Sequence, residues 1–278
     1  MSLSAPRKHE LTALCRRFRL DVIDTLHLRQ TGHPGGSLSV CEILAILYFQ
    51  HANVSADDPA REDRDMIILS KGHAAPMLYR VLAEKGFFPK EEMKSLRTLN
   101  TRLQGHPCSH ETPGVEISSG PLGLGLSAGL GISLGQKLRG YKNACTYVIL
   151  GDGELDEGTV WEAAMSASRF KADNLIAVVD CNKVQLDGTT DEIMPLGNLT
   201  DKFSAFGFEV ISCDGHDLDS LDDAFKAAKT VKDKPSVILA DTVKGKGVSF
   251  MEGKNIWHGA PISDDLCKQA MSELREGK

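Results

Sequence analysis

Five short apolar runs, 66–69, 146–150, 175–180, 208–213 and 236–243, recur along the chain with helix-period segments between them. Runs rich in Val and Ile without polar–apolar alternation are strands buried on both faces. Strands separated by helices pair in parallel, because a parallel connection needs a crossover long enough to hold a helix. The pattern sets the fold class: α/β, a mostly parallel sheet with helices on both faces. The intervening helices fall near 74–85, 121–139, 157–170, 199–206 and 217–230. A longer one is expected over 8–30, where Leu11, Leu14, Cys15, Phe18, Val22 and Leu26 share a face. Thr31 through Gly36 breaks it, and Ser39 with Glu42 offers a capping box for a helix reaching about Gln50. With a last helix near 263–276 and no repeat or long linker, residues 1–278 read as one α/β domain with a helical lead-in and a C-terminal helix.

Composition excludes several classes. A net charge of −6 and the lack of a basic block beyond Arg16-Arg17-Phe18-Arg19 argue against nucleic acid. That run is expected to be a solvated helix face. No apolar stretch approaches the roughly 20 residues of a membrane helix, and Met1–Glu10 has no signal-peptide core. The seven cysteines are scattered and form no Cys-x-x-Cys pair, so neither a disulfide framework nor a zinc site is expected, and a reducing cytoplasm fits.

Open α/β sheets bind ligands at the carboxyl ends of their strands. There, run 146–150 leads into Gly151-Asp152-Gly153, and run 175–180 ends at Asp180-Cys181-Asn182. Asp152 and Asn182 offer hard oxygen ligands, a nearby carbonyl could add a third, and Mg²⁺ favours such a set completed by phosphate and water. The glycines permit close backbone approach to a phosphate, at the N-terminus of the next helix. Gly-Asp-Gly alone would be an ordinary turn; one helix and one strand before Asn182 make the pair informative. Five of the nine histidines adjoin a glycine: His33, His73, His106, His216 and His258. As a set they suggest a polar pocket of neutral donors on tight loops, although His216 reads as a turn residue. The glycine-rich segment from Ser119 to Gly125 suits either tight helix packing or close approach to a ligand.

These segments resemble the thiamine-diphosphate enzymes, and among them the transketolases. Gly151-Asp152-Gly153 with Asn182 is similar to the superfamily's cofactor signature. Gly32-His33-Pro34-Gly35-Gly36, Ser70-Lys71-Gly72-His73-Ala74, Gly105-His106-Pro107, Gly120-Pro121-Leu122-Gly123, Gly151 through Gly158, and Lys244-Gly245-Lys246-Gly247 followed by His258-Gly259 resemble transketolase in the same order. The resemblance implies that Asp152, Asn182 and the Val184 carbonyl hold Mg²⁺ or another divalent cation such as Ca²⁺. It implies that His73, Gly153 and His258 contact the diphosphate, while Gly120, Leu122 and Leu186 line the thiazolium. His33, His106 and His258 would face the substrate, His106 at the donor's terminal hydroxyl, with His33 and His258 assisting proton movement. Glu157 and Glu162 resemble carboxylates at the subunit interface.

Two departures touch substrate contacts: Cys108 stands where the family usually has an acid, and Leu124 where it has glutamine. The family's second and third domains are not in this sequence. The chain thus resembles the N-terminal subunit of a split transketolase, expected to work with a C-terminal subunit that supplies the pyrimidine-binding domain, as two copies of each chain. The implied reaction passes a two-carbon ketol unit from a ketose phosphate to an aldose phosphate. The α subunit of a 2-oxo acid dehydrogenase, deoxyxylulose-phosphate synthase and a non-catalytic orphan domain are the competing readings.

Overall fold

The computed structural model describes residues 3–277. Five parallel strands, β1 (Met66–Leu69), β2 (Thr146–Gly151), β3 (Leu175–Cys181), β4 (Glu209–Asp214) and β5 (Ser236–Asp241), form one sheet in the order β1-β2-β3-β5-β4. The helices are α1 (Ala5–Arg29), α2 (Pro34–Ser39), α3 (Cys41–Ile46), α4 (Ala75–Glu84), α5 (Leu124–Leu138), α6 (Gly158–Arg169), α7 (Thr190–Ile193), α8 (Leu199–Ala205), α9 (Leu218–Thr230) and α10 (Asp264–Glu276).

Successive strand residues point to opposite faces, and two cores result. Ile67, Leu69, Tyr147, Ile149, Ile176 and Val178 face α1, α3, α4, α9 and α10. Ile68, Val148, Leu150, Leu175, Ala177 and Val179 face α5, α6 and α8. The unalternating apolar runs therefore carry helices on both sides. Helix α5 comes unusually close to the sheet. A Cβ at Gly125 would collide with the Ser70 side chain, and one at Gly129 with Val148. The small-residue face is thus a packing device, and the glycine-rich segment before it serves the other purpose, since Gly120 and Leu122 line a cavity. The helix starts at Leu124, later than expected, because Gly120 and Gly123 hold left-handed backbone at φ 155° and 84°.

Two local expectations are corrected. Ser39 and Glu42 do not cap a helix: α2 has already begun at Pro34, whose lack of an N–H suits a first turn. The Ser39 hydroxyl donates instead to the buried Asp180 carboxylate at 2.5 Å. Glu42 accepts from the Arg19 guanidinium (2.6 Å to its Oε2) and pairs with His216 Nδ1 at 2.9 Å. Arg19 accordingly leaves the solvated face expected of the Arg16–Arg19 run and is buried, drawn in by that carboxylate. His216 does sit in a turn, yet it also accepts from Val243 N at 2.9 Å, which ties β4's exit to β5's. The sequence also missed α7, four residues capped by a true Thr189–Glu192 box and too short to show a period. Among the described residues no helix is long and apolar enough to cross a membrane.

Burial alone would raise the Glu42 pKa, but the Arg19 charge and the His216 and Arg19 hydrogen bonds overcome it and hold the value at about 2. The folded value lies below the unfolded one of about 4.3. The resulting stability is therefore complete above about pH 4.3 and is lost as pH falls through about 2. Glu42→Gln leaves Arg19 buried without a counter-charge and is expected to cost about 3–5 kcal/mol. It should lower the urea midpoint at pH 7 and flatten the acid loss of stability, both measurable by circular dichroism.

Candidate active site

At the carboxyl end of the sheet lies a cavity of about 270 Å³. Its lining includes His33, His73, His106, Gly120, Leu122, Asp152, Gly153, Asn182, Val184, Leu186 and His258, together with Lys71, Glu154, Gln185 and Lys244. The first eleven are residues the sequence had singled out, drawn from segments spread between positions 33 and 258. The strand register explains the convergence. Gly151 pairs with Asp180 and Cys181 with Asp241, so the loops leaving β2, β3 and β5 emerge side by side.

The floor of the cavity is ionic. Asp152 Oδ1 accepts from Gly153 N at 2.8 Å, and Oδ2 accepts from Lys183 N. Burial, reinforced by the charge of Asp180, pushes the Asp152 carboxyl up to about 6. Asn182 Oδ1 accepts from Val184 N at 3.2 Å. The Val184 carbonyl accepts from the Lys244 ammonium at 2.9 Å, and that of Gln185 lies 3.4 Å from the same nitrogen. A positive charge is therefore already attracted to this carbonyl group, and a cation beside the buried Asp152 would favour its ionised form. The donor set of carboxylate, amide oxygen and main-chain carbonyl fits a hard divalent cation.

Glu154, buried under this floor, accepts from the Ser70 hydroxyl, from Gly123 N at 2.8 Å and from Gly151 N at 3.0 Å. It thus locks three cavity loops together. A Cβ at Gly153 would meet Gln185 Cγ at 2.7 Å, so a side chain there would displace Gln185 from the cavity edge.

The wall is made of imidazoles. The His33 ring centroid lies 5.7, 5.8 and 5.4 Å from those of His73, His106 and His258, and His73 and His258 are 4.8 Å apart. All four are held neutral at physiological pH, chiefly by burial. His33 is lowered to about 4, with Arg97 adding to the effect, and His258 to about 3, with Lys244 adding. His73 falls well below the usual range beside Lys71, and His106 is lowered beside Arg97. Lys244, which lies 3.1 Å from His258 Nδ1, is itself lowered to about 8 by burial and by Lys71.

His216, the fifth glycine-flanked histidine, is not part of this wall. Glu157 and Glu162 lie outside the cavity, exposed on the N-cap and the first turns of α6. Sequence reasoning missed Lys71, Lys244, Glu154 and Asp180 as site residues. Lys71, Lys244 and Glu154 lie within the glycine-rich motifs themselves, but nothing in a linear sequence shows that a lysine or glutamate will be buried.

A parallel α/β sheet with this constellation at its carboxyl edge defines a cofactor-binding domain, and comparison with known proteins assigns it. The family model for the transketolase thiamine diphosphate binding domain matches residues 11–275. The chain belongs to that family. It is 44% identical over 261 residues to the 6-deoxy-6-sulfo-D-fructose transketolase subunit SqwG of Clostridium sp., covering 94% of each chain. It is 38% identical to a subunit of the apulose-4-phosphate transketolase of Phocaeicola vulgatus, covering 93% of this chain and 91% of that one. Against human transketolase it is 37% identical, but its 98% coverage corresponds to 44% of the longer protein. The crystal structure of transketolase from Campylobacter jejuni superposes with a TM-score of 0.89 at 32% identity, over 95% of this chain and 42% of that one. The chain thus spans less than half of these longer transketolases and nearly all of the separate subunits.

Gly36 is where the imidazole wall touches α2: a Cβ there would meet His73 Nε2 at 2.9 Å. Gly36→Ala is expected to displace that ring, at a cost on the order of 1–3 kcal/mol. Isothermal titration with the partner subunit present should show weaker thiamine diphosphate binding.

Proposed function

We propose that the chain is the diphosphate-binding subunit of a two-chain, thiamine-diphosphate- and Mg²⁺-dependent transketolase that passes a two-carbon ketol unit from a ketose phosphate to an aldose phosphate. The observation that supports it best is the cavity itself, with an oxygen-donor floor on two adjacent strands facing a wall of four neutral histidines. Asp152, Asn182 and the Val184 carbonyl would hold the cation, and Lys244 would give way from Val184 or turn to the diphosphate. His73, the Gly153 N–H and His258 would bind the diphosphate. Gly120, Leu122 and Leu186 would flank the thiazolium.

When bound, the cofactor supplies the carbanion and the electron sink that ketol transfer requires. The chain's own residues orient the sugar. His106 would hold the donor's terminal hydroxyl, and His33 and His258 would hydrogen-bond and relay protons at substrate oxygens, as neutral imidazoles can. Leu122, Leu124, Leu186, Ile193, Met194 and Ile256 are large apolar side chains left exposed. Leu122 and Leu186 also line the cavity, which suits a face that a second subunit covers. That partner would supply the pyrimidine-binding domain, and Glu157 and Glu162 would sit at subunit contacts, in an assembly with two copies of each chain. The cytoplasm is the expected compartment.

In reconstitution with purified subunits, each chain alone should be inactive, and ketol transfer should appear on mixing. Full activity from this chain alone would overturn the split reading. Asp152→Ala should abolish cofactor binding, because diphosphate and cation each need the other's charge. Asn182→Ala, which loses only a neutral ligand, should weaken it less. Unchanged affinity in Asp152→Ala would refute the metal assignment. His106→Ala should lower turnover roughly 10²–10⁴-fold with cofactor affinity retained, whereas His73→Ala should raise the cofactor concentration needed.

A further inference from the structure

Arg97 lies outside every motif, just after the 3₁₀ turn Lys90–Ser95. Its backbone is left-handed at φ 59°, a conformation that is strained for a residue bearing a side chain. Its contacts offset that strain. Arg97 N donates to the Leu103 carbonyl and Nη1 to the Thr31 hydroxyl, each at 2.9 Å. Nη2 reaches the Gly105 carbonyl at 3.4 Å and His33 Nδ1 at 3.3 Å. One guanidinium therefore joins the segment entering α2 to the loop bearing His106. A Cβ at Gly105 would lie 2.9 Å from Arg97 Nε, so a side chain there would push the guanidinium aside.

The chemistry of the contact is one-sided. A guanidinium has five N–H donors, no acceptor and a permanent charge. A ring nitrogen facing it can only accept, so His33 Nδ1 carries no proton, and the proton of the neutral ring sits on Nε2. The other groups around His33 are His73, His106, His258 and the Lys244 ammonium, none of which draws a positive charge onto the ring. The main chain is fixed as well: the His33 carbonyl accepts from Ser37 Oγ at 2.7 Å and from Ser37 N at 3.4 Å.

We infer that Arg97 is a positioning residue that locks His33 as the neutral Nε2–H tautomer, so that His33 acts toward substrate as a hydrogen-bond donor and not as a base. The substrate half of this inference rests on the transketolase reading of the cavity; the tautomer half does not. It also refines the proton-relay role assigned to His33. With Nδ1 occupied by Arg97, the ring has a single face for substrate, and it starts each cycle with that nitrogen protonated.

The test uses the full chain with its partner subunit, thiamine diphosphate and Mg²⁺. Long-range ¹H–¹⁵N spectra of ¹⁵N-histidine-labelled protein should show His33 with bare Nδ1 and protonated Nε2, unchanged between about pH 8 and about pH 5.5. Arg97→Gln should lower kcat/KM for a ketose donor roughly 10–100-fold, the usual scale for losing an orienting partner, with cofactor affinity held. It should also move the acid limb of the pH profile upward, though not back to the ordinary histidine value, because burial, the larger cause of the lowering, remains. Arg97→Lys, which keeps a donor-only cation, should recover part of the loss. A protonated Nδ1 in the parent protein overturns the inference, as does an Arg97→Gln variant with the parent's kinetics and pH profile. If Arg97→Gln does not fold, the tautomer of the parent decides. The expected tautomer in an assembly that transfers no ketol unit would leave the lock standing and remove the proposed function.

Discussion

Asp180 lies fully buried at the carboxyl end of the central strand, and four donors converge on its carboxylate. Lys71 arrives from the loop after β1, Ser39 from α2, Thr242 from the exit of β5, and Asn182 from the turn that follows Asp180 itself, at 3.3 Å. Burial opposes the ionised form, but the Lys71 charge and three of these hydrogen bonds reverse the balance and keep Asp180 a carboxylate. A buried charge is tolerable only when it is so completely satisfied. Because each donor belongs to a different segment, satisfying this one group fixes the relative positions of the loops that carry His33, His73, Asn182 and Lys244. The site is ordered from beneath.

The same charge shapes what lies above. Burial together with the Asp180 charge raises Asp152, so the floor holds a carboxyl that favours a cation, while burial, aided by Lys71 and Lys244, depresses His73 and His258 in the wall. The result is a division by charge: ionic groups lie low, and uncharged imidazoles stand around the rim. An imidazolium in that wall would repel the neighbouring lysines and crowd its ring neighbours, which is why neutrality there is a property of the whole set.

The sequence made the sheet legible because strands covered on both faces show no alternation, and it made part of the cavity legible because tight loops need glycine beside the residues they present, whereas Leu122, Val184 and Leu186 were marked only by the family resemblance. Strand order was not legible: β5 inserts between β3 and β4, and no local pattern encodes which neighbour a strand selects. Nor were the buried pairs. Glu42 read as a cap because Ser-x-x-Glu is a local motif, whereas its true partner, Arg19, lies in a different helix. Lys71, Asp180 and Arg97 share this history. Each looks like an ordinary solvent-facing charge in a linear string, and each becomes intelligible only when its counterpart folds over it.

Helix α5 carries a further consequence. Its glycines at 125 and 129 sit one turn apart against Ser70 and Val148, with no room for a methyl group. Helix and strand are therefore not independent modules here. A larger residue at 129 could be accommodated only with a smaller one at 148, and any outward shift of α5 would drag the Gly120–Gly123 turn away from the cavity it lines. For anyone re-engineering this scaffold, the helix, the strand beneath it and the turn before it form one inheritable block, to be exchanged together or left alone.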